Sequence, residues 1–461
     1  MSSAAARVDA GLARIAALNP RFRAFATVDA EGARTRAAEV DAASRDGRWL
    51  GLLHGMTVAI KDNIDLTGLP AASGSRLFAG RIAPSDAPVV ARLRETGAIM
   101  VGKAAMMELA FGVRSLDAVA GQCRNPWDPA RVPGGSSGGS AIAVALDLVD
   151  AALGTDTGGS VRVPAGFCGV VGLRPTIGLV SNRGVLPVSV SLDTVGPIAR
   201  RVEDVARILL AIAAHDPEDP FSVDRAPDPS LLRITEGVKG LRIGVPRNFY
   251  FDDVDAETAD AVHSVADMLT RAGARLVDIK LEGAAEAHGH ATTIIYCCDA
   301  CALHAKALDA GPGNISAPVF ERMIKGRNRS GIDYAAALRF REAWSLRLRQ
   351  VFRRVDALLC PTSPYPAPPI EENVHLEEVT RHATRFTYGG ALAGLPGLSL
   401  PCGFTRSGLP IGALLEGAWW READLLRLGK AWQDRTDWHL RVPPAHADTL
   451  AGRSATTAFA G

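Results

Sequence analysis

The sequence predicts an α/β protein, a single large domain in which α-helices cover a central, twisted, mixed β-sheet. Two observations lead to this fold class. Helical patterns alternate with short apolar strand patterns along the chain, which is typical of helices packed on a sheet. The 461 residues are 47% hydrophobic, enough for one large core, and no internal repeat divides them. We therefore expect one domain over residues 1–461.

Local signals place the elements of the first half. Residues 5–46 predict two helices, broken at Asn19–Pro20 and separated by an extended segment, FRAFATVD. The β-branched residues of Gly51–Leu66 predict a strand that carries Lys61. The next expected elements are a helix over Asp86–Thr96, a strand over Ala98–Val101, a short helix over Ala104–Phe111 and a turn cluster over Asn125–Pro129.

The second half continues the alternation after an Asp/Pro-rich surface excursion, Ala214–Gly240. Its expected strands are LRIGVP, RLVDIKL, ALLCP, LSLPC and PIGALLEG, and its expected helices are Asp255–Ala274, Ala284–Leu308, Asp333–Arg354 and Glu377–Ala393.

Two glycine–serine clusters, Gly134–Ser140 and Gly158–Ser160, lie within the stretch Pro133–Pro164. They bracket an apolar run, Ala141–Leu153, that predicts a buried helix. Glycine removes the Cβ restriction on φ, so each cluster can turn tightly and direct backbone N–H groups at one point. Serine adds a hydroxyl that becomes a nucleophile or a proton relay once a base takes its proton. The pattern indicates packed loops rather than flexible linkers.

A serine nucleophile needs a base, and two lysines are candidates on local pattern. Lys61 ends the strand of GMTVAIKDNID, and Lys103 follows the apolar run at Ala98–Val101. The chain has seven lysines against 44 arginines, so lysine is not its default cation. Arginine stays protonated in proteins, whereas a buried lysine can be neutral near pH 7. The alternative for Lys61 is an ion pair with Asp62 or Asp65.

These motifs together resemble the amidase signature family of serine hydrolases. The residues that carry the resemblance are VAIKDNI, GGSSGGS and GTDTGGSVRVPAGFCGVVGLRPT, supported by RNPWDP and SLDTVGPIARRVEDVA. The matches run from about residue 8 to residue 440, most densely over 50–205. The resemblance implies the amidase signature fold. It divides the chain into an N-terminal helical segment (1–46), a stretch of catalytic motifs (50–205), a substrate-side half (240–440) and a polar tail (443–461).

The resemblance implies a Ser–cisSer–Lys triad. The family's base falls on Lys61, its bridging serine on Ser136, after a cis peptide bond from Gly135, and its nucleophile on Ser160. The implied oxyanion hole is formed by the backbone N–H groups of Thr157, Gly158, Gly159 and Ser160. Lys61 can accept a proton only if it starts neutral, so burial must lower its pKa from about 10.4 toward 7.

The substrate pocket is less well specified. In the family the element at Ala104–Phe111 lies near the acyl pocket, so Ala110 and Phe111 are candidates to contact substrate, together with Gly135. Arg162 could bind an acidic group near Ser160, but an ion pair with Asp156 is favoured. The candidate substrates are aliphatic or aryl amides and ureide-like compounds.

Neither a metal nor an organic cofactor is expected. Cys297, Cys298 and Cys301 crowd three thiols together, with His304 one turn further on. Three ligands on neighbouring turns of one helix rarely suit tetrahedral zinc, so buried thiols are favoured.

Bulk properties limit the partners. A net charge of +1 with scattered charges shows no basic stripe, so we expect a small-molecule amide and water as reactants and no nucleic acid. Seven cysteines, an odd number, argue against a disulfide framework. No apolar run of membrane-spanning length and no export signal is present, so we expect a cytoplasmic protein without membrane contact. A homodimer is possible.

Two other functions remain open. GGSSG also fits the G-x-S-x-G nucleophile elbow of α/β-hydrolases, which would make Ser136 the nucleophile of an esterase. The family also includes the glutaminase/amidase subunit of tRNA-dependent amidotransferases. The stretch Pro369–Gly389 departs from the Asp-Pro and Tyr-rich pattern expected of that protein, so a stand-alone amidase is favoured.

Overall fold

The computed structural model describes residues 3–226, 228–370 and 375–446. Its framework is an eleven-stranded mixed sheet. The strands are β1 (Phe25–Val28), β2 (Thr57–Lys61), β3 (Ile99–Ala104), β6 (Ala151–Asp156), β7 (Val171–Arg174), β8 (Thr194–Ala199), β9 (Arg242–Pro246), β10 (Arg275–Ile279), β11 (Ala357–Pro361), β12 (Gly397–Phe404) and β13 (Pro410–Gly417), with a separate hairpin of β4 (Leu116–Asp117) and β5 (Gly121–Gln122). Their order across the sheet is β1-β3-β2-β6-β8-β7-β12-β13-β11-β9-β10. The predicted fold class is confirmed.

Helices cover both faces of this sheet. They are α1 (Ala4–Phe22), α2 (Ala30–Arg45), α3 (Pro88–Glu95), α4 (Gly138–Ala145), α5 (Arg162–Cys168), α6 (Val202–Ile212), α7 (Ala256–Arg271), α8 (Ala284–Glu286), α9 (Thr292–Leu303), α10 (Ala305–Asp309), α11 (Ala317–Met323), α12 (Gly331–Val351), α13 (Leu376–Ala383), α14 (Tyr388–Ala393) and α15 (Glu422–Gln433), and a π-helical turn over Ala287–Ala291 joins α8 to α9.

The alternation of side chains along β2 divides the core between the two faces of the sheet. Val58 and Ile60 belong to one apolar cluster, whereas Ala59 belongs to another. Successive side chains of a strand point to opposite faces, so β2 is buried on both sides. This explains why it reads as a continuous apolar run rather than an alternating one.

The register of the parallel strands determines where the functional residues meet. β2 pairs in parallel with β3 and with β6, so that Ile60 faces Leu153 across the ladder. β2 and β6 therefore end at the same edge of the sheet, and Lys61 and Asp156 are their last residues. In α/β sheets the carboxyl edge of the strands is the usual place for a site.

Several element predictions were wrong at their boundaries. α1 continues through Pro20, because its other residues bury an apolar face that outweighs the lost hydrogen bond. The run Ala141–Leu153 is not one helix: α4 ends at Ala145 and the run continues into β6. Periodicity cannot separate a buried helix from a buried strand.

Further differences concern the segments that contact the site. The segment Ala104–Phe111 is mostly irregular, since β3 includes Ala104 and only a 3-10 turn follows at Glu108–Ala110. Glu377–Ala393 is two helices, α13 and α14. Most of the tail over 443–461 lies outside the described residues. None of the helices in the described ranges combines the length and apolarity needed to cross a membrane.

Candidate active site

Lys61 ends β2 with its amine in a buried polar contact. Its side chain is fully buried, and Nζ donates to Ser136 Oγ and to Thr155 Oγ1, each at 2.7 Å. Burial lowers the pKa of Lys61 to about 7, against the opposing influence of two carboxylates, Asp156 and Asp193. An appreciable fraction of this amine is therefore neutral at neutral pH, as a base must be.

Ser136 lies in the loop before α4, after a cis peptide bond between Gly135 and Ser136. Its carbonyl accepts the N–H of Met107 at 3.0 Å, which ties the loop to the segment after β3. A Cβ on Gly135 would lie 2.9 Å from the carbonyl oxygen of Gly112, so Gly135 packs against backbone. The backbone before Ser136 is not a strand, which an α/β-hydrolase elbow would require.

Ser160 is the one residue of the turn Asp156–Ser160 that is not fully buried. Its carbonyl accepts the N–H of Ser137 at 3.1 Å, so the two glycine–serine loops are joined next to Ser136. The Ser160 hydroxyl makes no hydrogen bond to any residue that the structure describes, and α5 begins two residues later, at Arg162. A partly exposed serine whose backbone contacts the loop of a buried serine suits a nucleophile near its relay.

The turn that carries Ser160 is folded around the carboxylate of Asp156. Its oxygens accept the N–H groups of Gly159 at 2.8 Å and Val161 at 3.1 Å. The expected oxyanion hole therefore needs a correction at Gly159, because that N–H already has an acceptor. Within the described ranges, the N–H groups of Thr157, Gly158 and Ser160 have no hydrogen-bond acceptor and remain available to an oxyanion.

Arg162 is a structural partner of Asp156 rather than a residue facing substrate. Its guanidinium is fully buried and donates to Asp156 at 3.0 Å and to Glu416 at 3.2 Å. Arg174 lies 3.2 Å from the same Asp156 carboxylate. Burial by itself would raise the pKa of Asp156, but Arg162 and Arg174 hold it well below its usual range. The favoured ion pair is present, and direct contact of Arg162 with substrate is not supported.

Close packing explains why two glycines precede Ser160. A Cβ on Gly158 would lie 1.9 Å from Cε1 of Tyr388, and a Cβ on Gly159 would lie 2.3 Å from Oγ1 of Thr387. Gly159 also has φ +136°, which disfavours L side chains. The Thr387 hydroxyl donates to the Gly158 carbonyl at 2.6 Å. The start of α14 therefore holds the turn.

Phe111 and Ala110 lie in a buried aromatic cluster near this turn. Phe111 stacks on Tyr296 with ring centroids 4.5 Å apart, and the Tyr296 hydroxyl donates to the Ala110 carbonyl at 3.3 Å. The Arg322 guanidinium lies 4.5 Å from the Phe111 ring centroid and donates to the Phe111 carbonyl at 3.2 Å. Both Ala110 and Phe111 are fully buried, so the structure shows neither side chain at a surface that a substrate could reach.

Arg322 has an unusual environment for a buried cation. It is only 6% exposed, and within 3–226, 228–370 and 375–446 no carboxylate lies within ion-pair distance of it. Its guanidinium makes cation–π contacts with the rings of Phe111 and Tyr296 and a hydrogen bond with the Tyr388 hydroxyl. Tyr388 in turn packs on Gly158. Arg322 is therefore one aromatic ring away from the turn that carries Ser160.

The other candidates from sequence have structural partners. Lys103 is fully buried and lies 3.5 Å from the Asp62 carboxylate, so its positive charge is compensated locally. Cys297, Cys298 and Cys301 are free cysteines. Among the described residues no group of three or more His, Cys, Asp or Glu side chains is placed to hold a metal ion.

Sequence reasoning missed three residues that the fold brings to this region. Thr155 holds the Lys61 amine, Asp193 accepts a hydrogen bond from Thr157, and Arg322 lies behind the aromatic cluster. Thr155 and Asp193 lie within the quoted motifs GTDTGGS and SLDTVGP, so motif position was an available signal. Arg322 is one of the 44 arginines of the chain. It lies in a helix outside every quoted motif, so no such signal marked it.

Comparison with known proteins assigns the chain to a family. The family model "Amidase" matches residues 6–426. The chain belongs to the amidase family. A solved structure, described as an unexpected vestigial protein complex that reveals the evolutionary origins of an s-triazine catabolic enzyme, superposes with a TM-score of 0.89 at 32% identity, over 94% of this chain and 95% of that chain.

Curated relatives carry a more specific name, that of the glutamyl-tRNA(Gln) amidotransferase subunit designated A. The relative from Anaeromyxobacter sp. (strain K) is 40% identical over 95% of this amidase-family chain and 94% of its own length. The crystal structure of the same amidotransferase subunit from Thermotoga maritima has a TM-score of 0.77 at 34% identity, over 92% of this chain and 90% of that chain.

These relatives correct the expectation about partners. We excluded nucleic acid, but the relatives are named as subunits of an enzyme that acts with tRNA, so the exclusion was wrong. Net charge and the lack of a basic stripe were its only basis. One member of a complex can serve a nucleic-acid substrate through the other members, so its own charge does not report the partner.

Proposed function

We propose that this chain hydrolyses a carboxamide through an acyl-enzyme on Ser160, with Ser136 as proton relay and Lys61 as base. The observation that carries the proposal is the 2.7 Å contact between the buried Lys61 amine and the Ser136 hydroxyl, one residue from the loop contact with Ser160. A neutral amine, a bridging hydroxyl and an accessible hydroxyl form the arrangement that activates a serine nucleophile.

The proposed reaction balances protons along this line. As Ser160 Oγ bonds to the amide carbon, its proton passes to Ser136 Oγ while the Ser136 proton passes to Lys61 Nζ. The negative oxygen is met by the N–H groups of Thr157, Gly158 and Ser160. The C–N bond breaks as the proton returns through Ser136 to the leaving nitrogen, and water attacks the ester by the reverse route. Hydrogen bonds of this kind often shorten only when substrate is bound, which accommodates the open Ser136–Ser160 approach.

Arg322 supports an acyl group that carries a carboxylate. A buried guanidinium without a carboxylate partner is costly, and a bidentate carboxylate is its best-matched ligand. The guanidinium packs against the stacked pair of Phe111 and Tyr296, 4.5 Å and 5.0 Å from the two ring centroids, so it is already oriented. We infer a substrate with an amide at one end and a carboxylate at the other, as in glutamine.

The relatives favour one biological role for this reaction. They support the proposal that the chain is the ammonia-producing subunit of an amidotransferase, because the 40% identity covers nearly both full lengths. In that role the chain supplies ammonia from an amide donor, and a different member of the complex uses the ammonia on glutamyl-tRNA. This replaces the stand-alone amidase as the first choice.

A stand-alone small-molecule amidase remains the second candidate because of one observation. The backbone matches a solved structure described as the crystal structure of an amidase with a TM-score of 0.82, against 0.77 for the Thermotoga maritima amidotransferase protein, each at 34% identity. The shape of this chain is thus nearer to that amidase structure.

The catalytic proposal is tested with Ser160→Ala and a matched control, Ser140→Ala. The Ser140 hydroxyl, in α4, donates to the Leu153 carbonyl and takes no part in the reaction. We expect Ser160→Ala to lose at least about a thousandfold in ammonia release from glutamine or succinamate. Ser140→Ala should stay within about threefold of wild type. Equal activity of the Ser160→Ala variant and wild type would reject the nucleophile.

The two roles are separated by the requirement for partners. The chain is purified alone and assayed for ammonia release, then assayed again with the remaining subunits of a related amidotransferase and glutamyl-tRNA(Gln). Formation of glutaminyl-tRNA in the reconstituted mixture supports the amidotransferase role. Full turnover by the isolated chain, unchanged by the other subunits and without tRNA product, supports the stand-alone amidase.

A further inference from the structure

Asp193 connects the oxyanion turn to the loop that precedes β8. Its carboxylate accepts the Thr157 hydroxyl at 2.5 Å, and its other oxygen accepts the N–H groups of Val188 at 2.8 Å and Ser189 at 3.0 Å. Thr157 is the first of the three residues whose N–H groups are open to an oxyanion. The position of this N–H therefore depends on a side-chain contact from outside the turn.

The charge of Asp193 is compensated differently from that of its neighbour Asp156. Asp156 is in ion-pair contact with Arg162 and Arg174. Asp193 is only 5% exposed, yet no cation among the described residues lies within ion-pair distance of it. A buried carboxylate held only by neutral donors is expensive to keep, because no cation offsets its charge.

The surroundings of Lys61 give this charge a use. Thr155 accepts from Lys61 Nζ at 2.7 Å and lies two residues before Thr157, whose hydroxyl donates to Asp193, so Asp193 flanks the strand end that holds the base. The negative charges of Asp156 and Asp193 both favour the protonated form of Lys61. The Asp156 charge is offset by its two arginines, and the neighbouring Asp62 is offset by Lys103. Asp193 is thus the least compensated anion that acts on the base.

The other ionisable groups around Asp193 are hydrogen-bonded to hydroxyls, neutral, or at longer range. Asp299 accepts hydrogen bonds from Ser189 and Tyr334, Tyr296 is a neutral phenol, and Arg174 reaches Asp193 only at longer range.

We propose that Asp193 is a positioning residue with two separable effects: it fixes Thr157 in the oxyanion turn, and it stabilises the protonated Lys61 that forms during attack. The inference rests on the proposed function. A negative charge close to the base raises its proton affinity, and the protonated amine is the state from which the leaving nitrogen receives its proton. Without this charge, the base would be neutral over a wider pH range but a poorer proton acceptor.

The test measures the rate of covalent labelling of Ser160 by a fluorophosphonate as a function of pH. This reaction needs the nucleophile and the base but no particular amide substrate. Four variants of the full chain are compared with wild type. Asp193→Asn removes the charge and keeps one acceptor oxygen in place of two, so its amide nitrogen faces either the Thr157 hydroxyl or the N–H groups of Val188 and Ser189. Asp193→Glu keeps the charge, Thr157→Val removes the hydrogen bond and keeps the charge, and Asp117→Asn removes a buried carboxylate elsewhere.

The expected results separate the two effects. Asp193→Asn should move the acid limb of the labelling profile down by about one pH unit, because Lys61 loses an anionic neighbour. Thr157→Val should lower the plateau by about tenfold without moving the limb. Asp193→Glu should keep the wild-type limb, and Asp117→Asn should keep both features.

Three outcomes overturn the inference: an Asp193→Asn limb at the wild-type pH, a limb that moves equally in Asp117→Asn, or a Thr157→Val plateau equal to wild type. If Asp193→Asn does not fold, the other two variants still test the inference. A displaced acid limb in Asp193→Glu, or a wild-type plateau in Thr157→Val, rejects it. Failure of the proposed function gives a different result in the same assay: the fluorophosphonate would then label wild type and Ser160→Ala equally.

Discussion

Thr155 Oγ1 lies 2.7 Å from the Nζ atom of Lys61, as close as the hydroxyl of Ser136. Thr155 comes from β6 and Lys61 from the neighbouring parallel strand β2, so the sheet itself fixes this distance. The amine is held from one side by Thr155 and faces Ser136 on the other. Its direction is therefore determined before any substrate arrives.

Thr155→Val should reduce catalysis by misdirecting this amine. Valine keeps the shape and loses the hydroxyl, which we expect to lower kcat about tenfold, the effect of one orienting hydrogen bond. Thr155→Ser restores the hydroxyl and should recover most of the rate. The measurement is steady-state ammonia release; a Thr155→Val enzyme with wild-type kcat would show that Ser136 alone is enough to orient Lys61.

The activity of wild type should rise with pH through the pKa of Lys61. The base acts in its neutral form, and burial lowers its pKa to about 7, so kcat/KM should fall below that pH and level off above it. Lys61→Arg should be inactive over the whole range, because a guanidinium is not deprotonated. The check is a pH profile of kcat/KM for both proteins. A Lys61→Arg variant with a normal acid limb would reject the base assignment.

Replacing Lys61 should also stabilise the fold. Its pKa is 10.5 in the unfolded chain and about 7 in the folded chain, so the folded state binds fewer protons between these values. The cost of burial, about 4–5 kcal/mol, is fully present below about pH 7 and disappears as the pH rises to the unfolded pKa.

Lys61→Met removes this cost together with two hydrogen bonds of about 1 kcal/mol each. We expect the free energy of unfolding to rise by about 2–3 kcal/mol at pH 7. The gain should shrink as the pH approaches 10. Urea denaturation at several pH values measures it, and an equal gain at all pH values would contradict a protonation origin.

Arg322 should control selection for a carboxylate on the substrate. Succinamate and butyramide are matched in length and differ in that group. Arg322→Met should lower kcat/KM for succinamate about a hundredfold and change butyramide less than about threefold, since a charge-assisted bidentate contact is lost.

Arg200→Met is the control for Arg322→Met. Arg200 is a partly buried arginine whose guanidinium donates to backbone carbonyls, those of Ala145 and Arg441. The Arg200→Met variant should leave the ratio of kcat/KM for succinamate to kcat/KM for butyramide unchanged. Equal losses for both substrates in Arg322→Met would indicate a purely structural arginine.

Gly158→Ala should disrupt the nucleophile turn through Tyr388. The added Cβ would lie 1.9 Å from the ring, so the turn or α14 must move, and we expect at least about a hundredfold loss of activity. Combining it with Tyr388→Ala should recover part of the folding stability. A double-mutant cycle on unfolding free energy measures this coupling, and additive effects would mean that the two residues do not meet.

Local sequence pattern was sufficient to predict most strands and helices of the sheet framework, and the motifs were sufficient to predict the family. Strands such as β2 and β13 carry β-branched or apolar runs ended by turn residues, so they could be placed from sequence. Prediction failed where burial on all sides removes periodicity: α4 and β6 form one apolar run, and only the pairing of β6 with β2 makes part of it a strand. Prediction failed in a helix for a related reason: Pro20 favours a break on local pattern, but packing of the apolar face of α1 stabilises a helix that continues through it.

Local pattern in the sequence left Lys61 and Lys103 open as the base, because both follow apolar strand runs. The resemblance to the amidase signature family then assigned the roles to Lys61, Ser136 and Ser160. Only the tertiary structure decided how their surroundings are occupied: Gly159 donates to Asp156, Arg162 is paired, and the buried arginine without a carboxylate partner among the described residues is Arg322. The physical reason is that pairing and burial depend on groups far apart in the chain. A residue's charge can be read from sequence, whereas the partner that neutralises it cannot.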